Sequence, residues 1–237
     1  MRKKMALALA GALILALGTA GLAQALTSKQ TVAVKLAQSK AGTAAKPKSV
    51  GMLTVDMKVA KDPADAPFAT RSVVVHFDKN LVFNTAKFPS ATEAQVRSGH
   101  APSKAKVGSG SASGLALGQV ESLKVTAYNG PKGKSILLHV SGQTPLMIDT
   151  VIVGQLKADS GKFGRKLVVT IPDNLQQPLT NVYATLTSFL TKVGGSANGT
   201  PYVALKGCSG GKLQYRGDFV FTDGSKQSPT ATSTCKK

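Results

Sequence analysis

The chain has 237 residues, 42% of them apolar and 17% charged, and its 30 Lys and Arg against 11 Asp and Glu give a formal net charge of +19. Lys supplies 25 of the 30 cations and Trp is absent, so the Arg forks and stacking aromatics of a nucleic-acid interface are scarce. The excess charge is spread along the chain rather than gathered in one run, as expected of Lys on solvent faces and strand edges. Outside a cell, an even field of this kind attracts anionic wall polymers in a salt-sensitive way.

Met1 to Ala25 reads as an export signal: basic Arg2, Lys3 and Lys4, an uncharged stretch from Met5 to Leu22, then Ala23-Gln24-Ala25 as a small-x-small cleavage site. The apolar run is short and carries Gly11, Gly18, Thr19 and Gly21, which suits a cleaved segment better than a membrane anchor. The expected product is 26–237, with a net charge of +16 after the loss of three cations. It is expected to be secreted or associated with the cell envelope, with no transmembrane helix after cleavage.

From Thr31 onward apolar and polar residues alternate, the period of half-buried strands. Val32, Val34 and Leu36 share one face of the first strand. Leu53, Val55, Met57 and Val59 share the inner face of the next, with Asp56 and Lys58 outward. Ser72 to Phe77 and Leu81 to Phe83 follow. Ala91 to Ser98 is the one short helix expected, with Thr92 as its cap and Glu93 at its positive end.

Lys106 to Leu117 places Gly108, Gly110, Ala112, Gly114 and Ala116 on one face, so a strand here lets another backbone or a bulky side chain come close. The alternative is a Gly/Ser linker dividing the chain near 106–118. Further strands are expected over Val120–Tyr128, Ser135–Ser141, Met147–Lys157, Lys166–Pro172, Val182–Lys192, Tyr202–Lys206, Leu213–Phe221 and Thr230–Cys235. Turn signals separate them, among them Asn129-Gly130-Pro131, Pro172-Asp173-Asn174 and Asp223-Gly224. Many short strands with such joints indicate an all-β antiparallel sandwich, one large or two small. Cys208 and Cys235 are the only cysteines, and an oxidising compartment favours their pairing as a staple on the C-terminal hairpin.

Thr31 to Val59, Leu81-Val82-Phe83-Asn84-Thr85-Ala86-Lys87-Phe88-Pro89, Lys106-Val107-Gly108-Ser109-Gly110, and Ile171 to Pro178 followed by Val182-Tyr183-Ala184 resemble secreted all-β proteins of unknown function from soil actinobacteria. The resemblance covers most of 26–237 and implies export and a β fold. It carries no activity with it. Such proteins often hold a further Cys pair in the loop that here contains Ser90 and Ala101-Pro102, where this chain departs from the pattern. The resemblance also matches Cys208 and Cys235 to the pair near the C-terminus of those proteins.

Chemistry-bearing residues are few. His76 and His139 lie within strand patterns and His100 in a loop, with no His-x-His, His-Glu-x-x-His or Cys/His spacing for zinc. Asp62 with Asp65, or Asp159 with Asp173, form no calcium loop. Paired-carboxylate chemistry would draw on Glu93, Glu121 and nine Asp. Asp149, inside the run Leu146 to Val153, is the carboxylate most exposed to perturbation if its face is buried, and an ordinary outward Asp otherwise. Ser103 with Lys106 and Ser209 with Lys212 match Ser-x-x-Lys without the companion motifs, and Gly108 to Gly114 is not set between a strand and a helix as a phosphate loop requires. The sequence therefore assigns no catalytic, cofactor-binding or metal residues. It leads to an exported, non-catalytic β-sandwich protein acting by surface contact in the cell envelope or medium, its molecular function not determined by the sequence, with an anionic cell-wall polymer or another envelope protein as candidate partners. An electrostatic module for anionic cell-wall polymers and a hydrolase on an unfamiliar β scaffold are the alternatives.

Overall fold

The computed structural model describes residues 30–59, 68–116, 118–144 and 146–237. The signal-peptide reading of 1–25 and the pair Asp62 and Asp65 lie outside them.

Alternation becomes strands throughout. β1 (Gln30–Leu36) buries Val32 and Val34, and after the short β2 (Lys48–Ser49), β3 (Met52–Val59) buries Leu53, Val55 and Met57. β4 (Thr70–Asp78) and β5 (Leu81–Phe83) precede the helix α1 (Glu93–Arg97). Thr92 accepts the Gln95 backbone N–H, and the Gln95 side chain in turn accepts the Thr92 N–H, so two otherwise unpaired donors are satisfied at once. Then come β6 (Lys106–Ala116), β7 (Gln119–Asn129), β8 (Ser135–Gly142), β9 (Ile148–Ala158) and β10 (Phe163–Thr170). A second helical turn, α2 (Asp173–Gln176), stands at the Pro172-Asp173-Asn174 turn signal. The remaining strands are β11 (Thr185–Gly194), β12 (Ser196–Ala197), β13 (Thr200–Pro201), β14 (Val203–Leu205), β15 (Lys212–Phe221), β16 (Lys226–Gln227) and β17 (Thr230–Thr234).

Twelve strands make one antiparallel sheet in the order β1-β3-β11-β6-β7-β8-β9-β10-β4-β15-β16, with β17 also on β15. The Gly-rich segment 106–116 is therefore a strand inside this sheet, paired along its length with β7 and β11. A Cβ at Gly108 or Gly110 would collide with the carbonyls of Lys192 or Leu190 on β11, so these glycines permit the close backbone approach that tightens the curl there.

The sheet's two ends return to each other. Gln30 N donates to Gln227 Oε1 at 2.7 Å. Lys236 N donates to Ser39 O at 2.9 Å, and Ala41 N to Lys236 O at 2.7 Å. The result is a nearly closed barrel whose inner faces carry the main apolar core, including Val55, Val75, Phe77, Val125, Leu138 and Ile152.

One end of the barrel has a floor made by the three-stranded sheet β2-β14-β5. There Tyr202 and Asn129 are fully buried. The Tyr202 hydroxyl donates to Asn129 Oδ1, whose amide Nδ2 donates to the carbonyls of Thr85, Phe88 and Pro89. The Phe88 ring meets Tyr202 edge-on at 4.8 Å, and burial pushes the Tyr202 phenol well above its usual range. Cys208 and Cys235 are joined in a disulfide across 27 residues on this side. Among the described residues no helix is long and apolar enough to cross a membrane.

Candidate functional site: an apolar lumen and its rim

At the end away from the floor, β6 turns into β7, β8 into β9, and β10 leads through α2 into β11. Between these connections and the floor the barrel encloses a cavity of about 140 Å³. Its walls are almost wholly apolar, from Leu53, Phe83 and Ile136 deep inside to Leu146, Ile148 and Leu175 at the rim. An apolar cavity of about 150 Å³ in another protein stays dry and takes up benzene, so this space matches a single ring or a short alkyl chain.

Small side chains make the room. Ala112, Gly114 and Ala116 on β6 line the lumen together with larger residues such as Phe77 and Leu138. The same face that lets β11 approach thus also leaves the interior unfilled.

Two polar oxygens point into these walls without a hydrogen-bond partner, Glu121 Oε1 and Thr191 Oγ1. Glu121 is only 3% exposed. Its other oxygen, Oε2, accepts the Leu146 backbone N–H at 2.9 Å. A Cβ at Gly142 would press on Glu121 Oε1 and on the Leu123 side chain, so the absence of a side chain there lets the carboxylate pack in this position. Sequence reading counted Glu121 only among scarce acids. Its signal was phase: Glu121, Leu123, Val125 and Ala127 alternate on one face of β7, a carboxylate in step with core residues.

Among the described residues, the large apolar side chains that remain exposed are Phe68, Val120, Met147, Leu179 and Tyr183. Each is a near neighbour in the chain of a residue that lines the rim end of the cavity: Thr70, Glu121, Leu146 with Ile148, Pro178, and Ala184. Met147 is 87% and Val120 61% exposed. Scattered apolar residues are ordinary on a protein surface, but a set gathered around one opening marks a contact site. A polar groove lined by Arg71, Asp173, Gln176 and Tyr183 lies beside it.

The sequence's other candidates are placed elsewhere. His76, on the outer face of β4, is clamped between two carboxylates, with Nδ1 2.5 Å from Asp159 Oδ2 and Nε2 2.9 Å from Asp218 Oδ2. Arg216 Nη2 donates to Asp218 Oδ2 at 2.9 Å, and its guanidinium lies over the Phe163 ring that also packs on His76. Burial by itself would raise the carboxyl of Asp159, but the His76 contact, the Ser160 N–H and Lys166 outweigh it and hold Asp159 below its usual range. Asp218 is lowered in the same way, its burial outweighed by Ser228, His76 and Arg216. None of these residues lines the lumen or the groove, and the cluster is filled by its own side chains, as a structural clasp between strands would be.

His139 and Asp149 pair on the outer face of β8 and β9, Nε2 to Oδ1 at 2.6 Å, with the Asp149 side chain 69% exposed. Asp149 is thus the outward carboxylate of the two readings. His76 is level with Lys166 on β10 and Lys157 on β9, far along the strand from Asp149. His100 contacts Ser98 in an exposed loop. Ser103 sits in a 3-10 turn whose end begins β6 at Lys106, and Gly108 to Gly114 is strand. Among the described residues no three of His, Cys, Asp and Glu converge as metal ligands.

Fold and site together define an antiparallel β-barrel with an apolar lumen, a sealed floor and an apolar rim. No known protein family, curated protein or solved structure matches the chain.

Proposed function

We propose that this is an exported, non-catalytic binding protein that holds a small apolar molecule, or the apolar end of a larger one, inside its barrel. The observation that carries the reading is the unfilled apolar lumen, whose rim residues adjoin every large exposed apolar side chain among the described residues. A floor closed by Tyr202, Asn129 and the β2-β14-β5 sheet leaves the rim as the entrance. An apolar opening set in a chain of net charge +16 after cleavage suits an anionic lipid surface at the cell envelope, which would both attract the protein and offer apolar cargo. Export rests on Arg2 to Ala25 and on the Cys208 to Cys235 bond, which an oxidising compartment sustains.

Titration of the purified protein with toluene, followed by calorimetry and by chemical-shift changes of the lumen methyls of Leu138 and Ile152, tests the binding reading. Saturable uptake of one equivalent supports it, and no shift of these methyls at toluene saturation overturns it. Mass spectrometry of protein recovered from the native host tests export, with Leu26 as the expected first residue.

A further inference from the structure

The lumen is not uniformly apolar, and its one carboxylate is only half satisfied. Glu121 Oε2 is held by the Leu146 N–H, while Oε1 is buried at the lumen wall with no partner and makes no ion pair among the described residues. A buried acceptor left unmade is unfavourable, and a buried charge is ordinarily paired. Gly114, which pairs with Glu121 across β6 and β7 and lines the lumen, leaves room on the Glu121 side of the wall, while Gly142 packs closely against Oε1 from the other side. Walls of Leu123, Leu146 and Ile148 surround it.

We infer that Glu121 selects the polar end of the ligand: a small amphiphile whose ammonium group donates a hydrogen bond to Oε1 at the rim while its apolar body occupies the lumen. This inference rests on the binding reading above. A carboxylate or ester end would meet Oε1 acceptor to acceptor and be rejected, because specificity in such sites comes from leaving the wrong partner unpaired. Thr191 lies deeper, on β11, and its unpartnered hydroxyl has no matching cradle.

The test uses four probes of one ring size: toluene, benzylamine, benzyl alcohol and benzoate, titrated into the purified protein at neutral pH and low salt. The expected order is benzylamine tightest, benzyl alcohol intermediate and benzoate weakest, with benzylamine favoured over benzoate at least tenfold. In Glu121→Gln the ratio of the two affinities, rather than either affinity, should collapse to within about threefold. Gly142→Ala, which crowds Oε1 and retains the carboxylate, should lower the same ratio and keeps the test decisive if the first variant does not fold. Toluene uptake without any preference for benzylamine overturns this inference and leaves the binding reading standing, as does a preference that survives both variants. Failure of toluene and of all three polar probes to bind overturns both.

Discussion

Glu121 on β7 and Leu146 in the connection to β9 are tied across the barrel mouth by a hydrogen bond from the Leu146 N–H to Glu121 Oε2 at 2.9 Å. The bond braces one of the rim connections from inside, yet its acceptor is a carboxylate whose second oxygen has no partner. Removing the side chain therefore loses one hydrogen bond of about 1 kcal/mol and relieves a buried, half-satisfied acid of similar cost. Glu121→Ala is expected to change global stability by less than about 1 kcal/mol in urea unfolding, while the Leu146 amide exchanges with solvent markedly faster. A Leu146 amide as protected as in the wild type would show that the brace is not made in solution.

The lumen's volume depends on Ala112, buried on the inner face of β6. Ala112→Phe places a ring in the space that a ligand would take. Uptake of toluene is expected to fall at least tenfold, read by calorimetry. Overpacking in a filled core costs typically about 1–3 kcal/mol, but an aromatic side chain placed in an unfilled apolar space gains burial instead. The unfolding midpoint should accordingly hold or rise. A drop of the full overpacking size would mean that the lumen is already filled.

Met147 and Val120 stand at the rim with nothing packed over most of their surface. Burying an exposed Met or Val against lipid is worth roughly 1.5–3 kcal/mol each. Met147→Ser with Val120→Ser should weaken co-sedimentation with vesicles rich in anionic lipid by at least tenfold, with little change in stability because neither side chain is in the core. Added salt should weaken the wild-type interaction too, since Lys on the barrel supplies the long-range part. Vesicle binding that is indifferent to both changes would place the lipid contact elsewhere.

The disulfide links Cys208, just before β15, to Cys235, just after β17, over 27 residues. It closes the hairpin at the floor, where β15 and β17 also share the Tyr215 to Ser233 hydroxyl contact at 3.0 Å. Burial pushes the Tyr215 phenol up to about 12, so this contact is neutral across the working range. Replacing both cysteines with Ser should cost about 2–4 kcal/mol, measured by denaturant unfolding, and reductant should reproduce the loss in the wild type alone. Equal stability with and without reductant would show that the hairpin is held by its strand pairing.

Strand positions were legible because the period of two is local: Val32 and Val34, or Leu53, Val55 and Met57, announce their face within a few residues. The same alternation showed that 106–116 could be a strand, and its Gly and Ala face showed that something approaches closely. What alternation does not carry is strand order. Nothing local says that β11 inserts between β3 and β6, or that β4 lies beside β10 and β15, and the curl into a barrel follows from that order. The lumen was invisible for the same reason, because it is a volume left between strands far apart in sequence. His76 reads as a strand residue and is one, but it is buried, and its partners Asp159 and Asp218 lie 83 and 142 residues away. Glu121 could have been found by phase alone.

The His76 cluster makes the acid limb of stability specific. Asp159 and Asp218 titrate below their ordinary value in the folded barrel, whereas in the unfolded chain each returns to about 3.9. Between the folded and unfolded values the unfolded chain binds more protons, so stability rises with pH through that window. The contribution is fully present above the unfolded value and is lost as pH falls through the folded ones. Asp159→Asn and Asp218→Asn should each cost about 1–3 kcal/mol near pH 7, by removing a carboxylate from its contact with a ring nitrogen of His76. Each should also flatten the slope of unfolding free energy against pH below about pH 4. Urea unfolding at pH values from 7 down to 2.5 measures both. A variant with the wild-type acid slope would mean that its carboxylate is not held low by the clasp.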